Sequence, residues 1–439
     1  MLDILKERTF RHLFLAQILA LVGTGLASVA LGLLAYDLAG GSAALVLGAI
    51  FAVKMVANVV LAPIAAALAA LLPRRRMLVT LDLIRAGAAL CLPFASELWQ
   101  VFGLVIVLQS ASAGFTPTFQ ATIPDILPEE ERYTRALSLS RLAYDLEAML
   151  SPALAALVLL TFAYDTLFLG TAAGFVASAM LIISVILPRP APSPRRGFYD
   201  RTTRGIRIYL ATPRLRGLLA FSFAVSAVGA MVLVNTVVLV RGELGFGEGA
   251  VAIALAAFGT GSMVAALALP SVLDRLTDRW VMTAGGMLML GALAGLSVWQ
   301  ATVGLGWNVL MLAWFIAGLG CSAILTPSGR LLRRSSQPDD RPAIFAAQFA
   351  LSHACWLVTY PLAGWLMTFT GLSVALNVLT LMTAAALVVA VRQWPARDSE
   401  TMVHSHPDLP KDHPHLRGGQ PHSHVILIDD LHPSWPGKG

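Results

Sequence analysis

The chain has 439 residues, of which 57% are hydrophobic and only 13% charged, with a mean hydropathy of +0.74. A water-soluble domain carries roughly 25% charged residues, so composition excludes an ordinary soluble enzyme or binding module. The net charge of +6 and pI near 9.5 invite a nucleic-acid partner. The basic residues, however, flank apolar segments rather than forming a patch, and no nucleic-acid partner is expected. Cys91, Cys321 and Cys355 all fall inside apolar stretches, which is neither a disulfide framework nor a paired-cysteine metal motif.

Windows apolar enough to cross about 30 Å of hydrocarbon recur at 11–36, 43–70, 77–96, 98–122, 135–161, 165–187, 215–240, 249–273, 281–300, 306–329, 343–368 and 372–392. They predict an all-α membrane protein with twelve transmembrane helices in two six-helix halves. The first window is too long for the apolar region of a cleaved signal and reads as a retained span. The expected organisation is an N-terminal half over 1–187, a Pro- and Arg-rich linker over 188–214, a C-terminal half over 215–394 and a polar tail over 395–439.

Loop charges set the orientation. Alternate loops hold Lys6, Arg8 and Arg11, then Arg74, Arg75 and Arg76, then Arg132 and Arg135, then the arginines of the linker. The same set continues with Arg275 and Arg279, with Arg330, Arg333, Arg334 and Arg341, and with Arg392 and Arg397. The opposite loops hold Arg241 alone. By the positive-inside rule both termini, the linker and the tail are expected in the cytoplasm.

The halves repeat. Thr116-Pro117, the acidic loop Pro128-Glu129-Glu130-Glu131-Arg132 and Pro152 recur roughly 210 residues later as Thr326-Pro327, Pro338-Asp339-Asp340-Arg341 and Pro361. A six-plus-six parallel repeat about a long linker places a substrate site near the midplane between halves.

With this layout and these motifs the chain resembles the major facilitator superfamily over roughly residues 1–395. That family marks the loop between its second and third spans with Asp-Arg and further basic residues. The C-terminal half keeps Asp274-Arg275 with Arg279 at that place, which the resemblance implies are gating residues. The N-terminal half keeps Pro63 and Arg74-Arg75-Arg76 but has Ala70-Leu71 where Asp-Arg would stand. Ser151-Pro152-Ala153-Leu154-Ala155-Ala156 resembles the small-residue and proline pattern of the family's exporters. Within the family the region from Thr116 to Arg135 is most similar to the branch of siderophore, macrolide and nickel-resistance exporters.

Ionisable groups at membrane depth are costly and mark candidate functional sites. Asp145 and Glu147 lie near the midplane, about 15–18 Å from Arg135 at roughly 1.5 Å per residue. Arg141 is four residues before Asp145 and can pair with it. Lys54, with Asn58 one turn on, reaches a similar depth from the other side. Asp145 or Glu147 is expected to carry a coupling proton while Lys54 or Arg141 holds its charge, against the alternative of a static ion-pair lock. Asp82 and Arg85 lie nearer the cytoplasmic side and are expected to brace the gate. His353 is a candidate proton or metal ligand, and Asn235 and Gln348 are candidate cavity-lining groups.

The tail carries His404/His406, His413/His415 and His422/His424, each pair nine residues beyond the last, followed by His432. In an extended chain, residues two apart share a side, so each pair can offer two imidazoles to one cation, with Ni among the metals imidazole suits. The tail also resembles the histidine-rich C-termini of nickel-resistance exporters. Val425-Ile426-Leu427-Ile428 reads as a short strand docking on the cytoplasmic face.

No Gly-x-x-x-x-Gly-Lys-Ser/Thr segment occurs, so nucleotide-driven transport is not indicated. The expectation is a monomeric, proton-coupled, alternating-access exporter in a bacterial inner membrane, not an enzyme, and without a resident cofactor beyond a divalent cation on the tail. Its best-guess substrate is a divalent cation such as nickel. The alternatives are efflux of hydrophobic organic drugs or siderophores, and a non-transporting membrane metal sensor.

Overall fold

A computed structural model describes residues 2–69, 73–127, 129–187, 198–337, 340–394, 401–404, 422–428, 432 and 435. Twelve membrane-length helices run α1 (Arg8–Ala39), α2 (Ala43–Ala69), α3 (Arg74–Cys91), α4 (Leu98–Ile126), α5 (Glu130–Leu159) and α6 (Asp165–Ile183). After a shorter helix α7 (Phe198–Ala211) come α8 (Pro213–Val237), α9 (Glu248–Leu273), α10 (Asp278–Thr302), α11 (Trp307–Arg334), α12 (Arg341–Thr370) and α13 (Leu372–Gln393). In hydrocarbon every backbone N–H and C=O must be satisfied within the segment, which is why these apolar runs are helical throughout. The fold is all-α within the spans, as composition predicts. Among the described residues ten helical stretches are long and apolar enough to cross a membrane, the first of them, Arg8–Val60, taking in α1 and the first two-thirds or so of α2.

The two halves pack alike. Helix α1 lies on α5 and α6, α2 on α4, and α3 on α4 and α6. In the second half α8 lies on α12 and α13, α9 on α11, and α10 on α11 and α13. Between halves α2 packs on α12 and α5 on α9, the crossings a two-fold repeat requires. The repeated motifs fall on equivalent helices, Pro117 and Pro327 within α4 and α11, Pro152 and Pro361 within α5 and α12.

The described part of the linker, from residue 198, is helical. Gly205, Ile208, Tyr209 and Thr212 are buried while Arg207 and Leu210 are exposed, so the apolar period of an amphipathic helix lays α7 against α12. Arg204 Nε donates to Asp340 Oδ1 at 2.6 Å, tying α7 to the acidic loop before α12. Helix α10 starts where the Thr277 side chain accepts from the Trp280 N–H, and α4 starts in a reciprocal Glu97–Gln100 capping box.

The tail forms an antiparallel pair of strands, β1 (Thr401–His404) and β2 (His422–Val425). Beyond β2, Ile426 and Ile428 are buried and Ile428 joins the main core. Trp435 packs on that core and lies over the Arg214 guanidinium, 5.7 Å from it. Ile426 and Ile428 of the apolar run thus dock on the helix bundle, but the run is not the expected strand: β2 ends at Val425 and residues 426–428 follow it without regular structure. His406, His413 and His415 lie outside the described residues, as do Ala70 and Leu71.

Candidate functional site

Lys54 and Glu147, singled out by membrane depth, converge with the candidate ligand His353 from three helices. Lys54 of α2, Glu147 of α5 and His353 of α12 are each half-buried, and Lys54 lies within electrostatic reach of both Glu147 and His353. An ionised group at the bilayer centre costs about 2.5–3.5 kcal/mol on insertion scales. Bringing the ammonium and carboxylate together offsets much of that cost only while both remain charged.

Local sequence places Glu147 there. Helix α5 crosses α1 at Gly25, where an added β-carbon would fall 2.8 Å from Glu147 Oε1 and collide with the Ser151 side chain. Small residues permit such close crossings, and Ser151 belongs to the small-residue and proline pattern noted above. Asn58, one turn beyond Lys54, is half-buried and pairs with no described residue. The side chains of Arg141 and Asp145 lie outside the described residues, and with them the expected Arg141–Asp145 pair.

His353 is held within its own helix. Its Nδ1 lies 2.7 Å from the Phe349 carbonyl and its ring sits 3.9 Å from the Phe349 ring. One turn on, Trp356 packs against Tyr360 at 4.8 Å, and Tyr360 against Phe51 of α2 at 4.9 Å. These aromatic groups line the α2–α12 crossing beside the charged cluster. Gln348 accepts from the Tyr209 hydroxyl and donates to Ser222 Oγ at 3.2 Å; it braces α7, α8 and α12. Asn235 is buried and donates to Met231 Sδ at 3.1 Å, leaving its Oδ1 without a partner.

The site is closed on the side away from the termini. Gly48 of α2 meets α12 so tightly that an added β-carbon would lie 2.6 Å from the Tyr360 carbonyl oxygen, and one at Gly364 would collide with the Ala44 carbonyl. Further out Arg241, after α8, pairs with Asp37 of α1 at 2.7 Å and stacks over Tyr36 at 4.5 Å. Tyr164 adds a hydrogen bond to Asp37; burial, then that carboxylate, pushes its phenol above its ordinary pKa. Arg241, the lone basic residue among the opposite loops, is thus a seal residue that a count of loop charges registers but cannot assign.

The expected gate residues divide. Asp82 and Arg85 form a buried pair inside the N-terminal half. Ser178 Oγ donates to Asp82 Oδ2 at 2.8 Å, and the Arg85 guanidinium lies between the rings of Phe115 and Phe175 at 4.1 and 4.4 Å. They join α3, α4 and α6 of one half rather than the two halves. Arg279 Nε donates to the Trp394 carbonyl at 2.9 Å and so caps α13, while Asp274 and Arg275 are exposed in the turn and pair with no described residue. A buried carboxylate close by is Asp278, which accepts from Arg330 Nε at 2.9 Å and lies 3.7 Å from Arg334. The signal for it was the second Asp-Arg, Asp278-Arg279, behind the helix-starting Thr277.

Among the described residues no group of three His, Cys, Asp or Glu side chains is placed to hold a metal ion. His432 is buried, and for His404, His422 and His424 only the backbone is described.

Comparison with known proteins agrees with the architecture. An uncharacterized MFS-type transporter of Bacillus subtilis (strain 168), YfiS, is 23% identical over 297 residues, covering 66% of this chain and 70% of that one. Among solved structures, a bacterial homolog of the human lysosomal transporter Spinster, inward-facing and unoccupied, superposes with a TM-score of 0.65 at 12% identity, over 88% of this chain and 94% of that one. The nucleoside transporter NupG gives 0.66 at 13% identity, over 88% and 98%. A peptide transporter of the POT type gives 0.67 at 13% identity, over 88% and 93%. The model of the Major Facilitator Superfamily matches residues 13–237 and 219–406, nearly the whole of the helical region. The chain belongs to the Major Facilitator Superfamily and is a multi-pass membrane transporter of the secondary type.

Proposed function

We propose that the protein exports a hydrophobic organic solute in exchange for protons, with Glu147 as the proton carrier and Lys54 as the charge that answers it. The meeting of Lys54, Glu147 and His353 between α2, α5 and α12 carries this reading. Protonating Glu147 removes the partner of Lys54, and the bare ammonium then favours whichever arrangement of the halves gives it water or a substrate group. That is the differential stabilisation that shifts a two-state equilibrium. The aromatic groups Phe51, Trp356 and Tyr360 beside the cluster suit an apolar solute.

A second reading, export of a divalent cation such as nickel, is favoured by the histidine-rich tail. Lys54 weighs against it within the spans, because its positive charge repels a dication at the place where the described carboxylate stands. Export rather than uptake rests on the Ser151-Pro152 pattern where α5 crosses α1. Basic loops support a bacterial inner-membrane location with both termini cytoplasmic, and a single chain holding both halves suffices as a monomer.

Everted membrane vesicles test the coupling. With a respiration-driven acidic interior, ethidium is expected to discharge part of the pH gradient through the native protein, whereas Glu147→Gln abolishes the response and Lys54→Gln lowers it. Discharge by Ni²⁺ but not by ethidium or other apolar dyes would replace the first reading with the second. An undiminished response from Glu147→Gln would remove that residue from the coupling step.

A further inference from the structure

The strand register of the tail brings together histidines that lie far apart in sequence. His404 stands directly opposite His422, and Met402 directly opposite His424. Opposed residues of an antiparallel pair share one face of the ribbon with β-carbons about 4.5–5.5 Å apart, and residues two apart on a strand share that face as well. Met402, His404, His422 and His424 therefore occupy one face, and Thr401, Val403, Ser423 and Val425 the other.

We infer that this face of the β1–β2 ribbon is a binding site for one divalent first-row cation, with His404, His422 and His424 as ligands from both strands and Met402 beside them. The register puts three histidines at adjacent positions of one face, and imidazole is the donor that suits Zn²⁺, Ni²⁺ and Cu²⁺. The site differs from a chain of His-x-His pairs: it joins His404 of one strand to His422 and His424 of the other. A two-stranded ribbon is at best marginal in water. A cation bridging the strands would supply the cross-link that this one lacks.

The site also stands next to the point where the tail meets the bundle. Immediately after β2, Ile426 and Ile428 are buried, and Trp435 lies over Arg214. Arg214 in turn donates to Ser335 Oγ at 2.7 Å and to the Arg334 carbonyl at 3.0 Å, tying the start of α8 to the end of α11. Cation binding on the ribbon thus orders a segment already seated on the C-terminal half. None of this depends on what solute the spans carry.

Equilibrium dialysis of the purified full-length protein in detergent, against Zn²⁺ and separately Ni²⁺, tests the site. One tight site is expected. His404→Ala and His422→Ala should each weaken it at least about tenfold, since even outer-shell losses cost 10–100-fold. The double variant should be no worse than either single, and His413→Ala/His415→Ala should leave the tight site intact. Independent losses from His404→Ala and His422→Ala, loss on removing His413 and His415, or absence of tight binding would each overturn the proposal. A fold-independent check is the pair Val403→Cys/Ser423→Cys in a Cys91→Ser background. Diamide should cross-link the pair faster when Zn²⁺ is present, and the acceleration should vanish with His424→Ala. Failure to cross-link, or a rate indifferent to Zn²⁺, would contradict the inference.

Discussion

The two ends of this transporter are held by different means. At the end away from the termini the contacts cross between halves: Gly48 and Gly364 bring α2 onto α12, Phe51 meets Tyr360, and Asp37 pairs with Arg241. Four turns at that end are closed by glycines in the left-handed region, Gly40, Gly245, Gly304 and Gly371. At the terminal end charged groups are abundant, yet among the described residues their ion pairs stay within a half. Asp278 holds Arg330 and Arg334 and Arg279 caps α13 within the C-terminal half, and Asp82 holds Arg85 within the N-terminal half, while Arg204 fastens the linker helix to Asp340 of the C-terminal half. The terminal charges make each half a stiff body, and the far-end crossings decide how the two bodies sit. Rigid-body rocking of halves about a central site needs that division.

Breaking the crossing should have the largest effect. Gly364→Leu drives a side chain into the Ala44 backbone, which cannot yield as a flexible side chain would. The cost, at the upper end of the roughly 1–3 kcal/mol seen for overpacking, falls on the closed arrangement alone, which the two halves relieve by parting at that end. PH-gradient discharge in vesicles should fall more than about tenfold, with thermal unfolding little changed. Asp278→Asn should do the reverse. It removes a charge-assisted bond to arginines that can retreat toward water, so about 1.5 kcal/mol of stability is lost. That loss should read as a lower Tm in detergent with the far-end spacing preserved. Arg241→Ala should be the mildest, because the pair is 22% and 36% exposed. Such a pair contributes up to about 1 kcal/mol. The closed population then shifts by at most about fivefold, measurable as faster thiol labelling of Phe51→Cys from the far side. An Arg241→Ala effect larger than that of Gly364→Leu would make the seal electrostatic rather than steric.

Much of this was legible in the sequence because hydrocarbon leaves the chain few options. Apolar length gives the helices, and the Thr-Pro and acidic-loop repeat gives the two halves. Depth counting placed Lys54 and Glu147 near one level, and the fold brings the candidate ligand His353 to them. What depth cannot supply is azimuth. Asp82 and Arg85 look like gate residues by level, but α3 turns them inward against Ser178 and two phenylalanine rings. The same limit hid Asp278, whose neighbour Asp274 carries the recognisable motif while the turn leaves that residue in water. Nor does hydropathy foresee α7, whose buried positions Gly205, Ile208, Tyr209 and Thr212 are too short a pattern to read as a span. The tail histidines read as local pairs in the sequence because strand register is a non-local property.

The central claim is that the charge state of Glu147 sets the relation between two stiff halves. It can be tested without knowing the substrate, by double electron–electron resonance in nanodiscs on a Cys91→Ser background. Spin labels at Ser42 and Glu243 report the far end, and labels at Arg76 and Arg333 the terminal end. Between alkaline and acid pH the two distance distributions should move in opposite directions in the native protein, and Glu147→Gln should hold both in one state at every pH. If Glu147→Gln responds to pH as the native protein does, or if both ends widen together, the account is wrong.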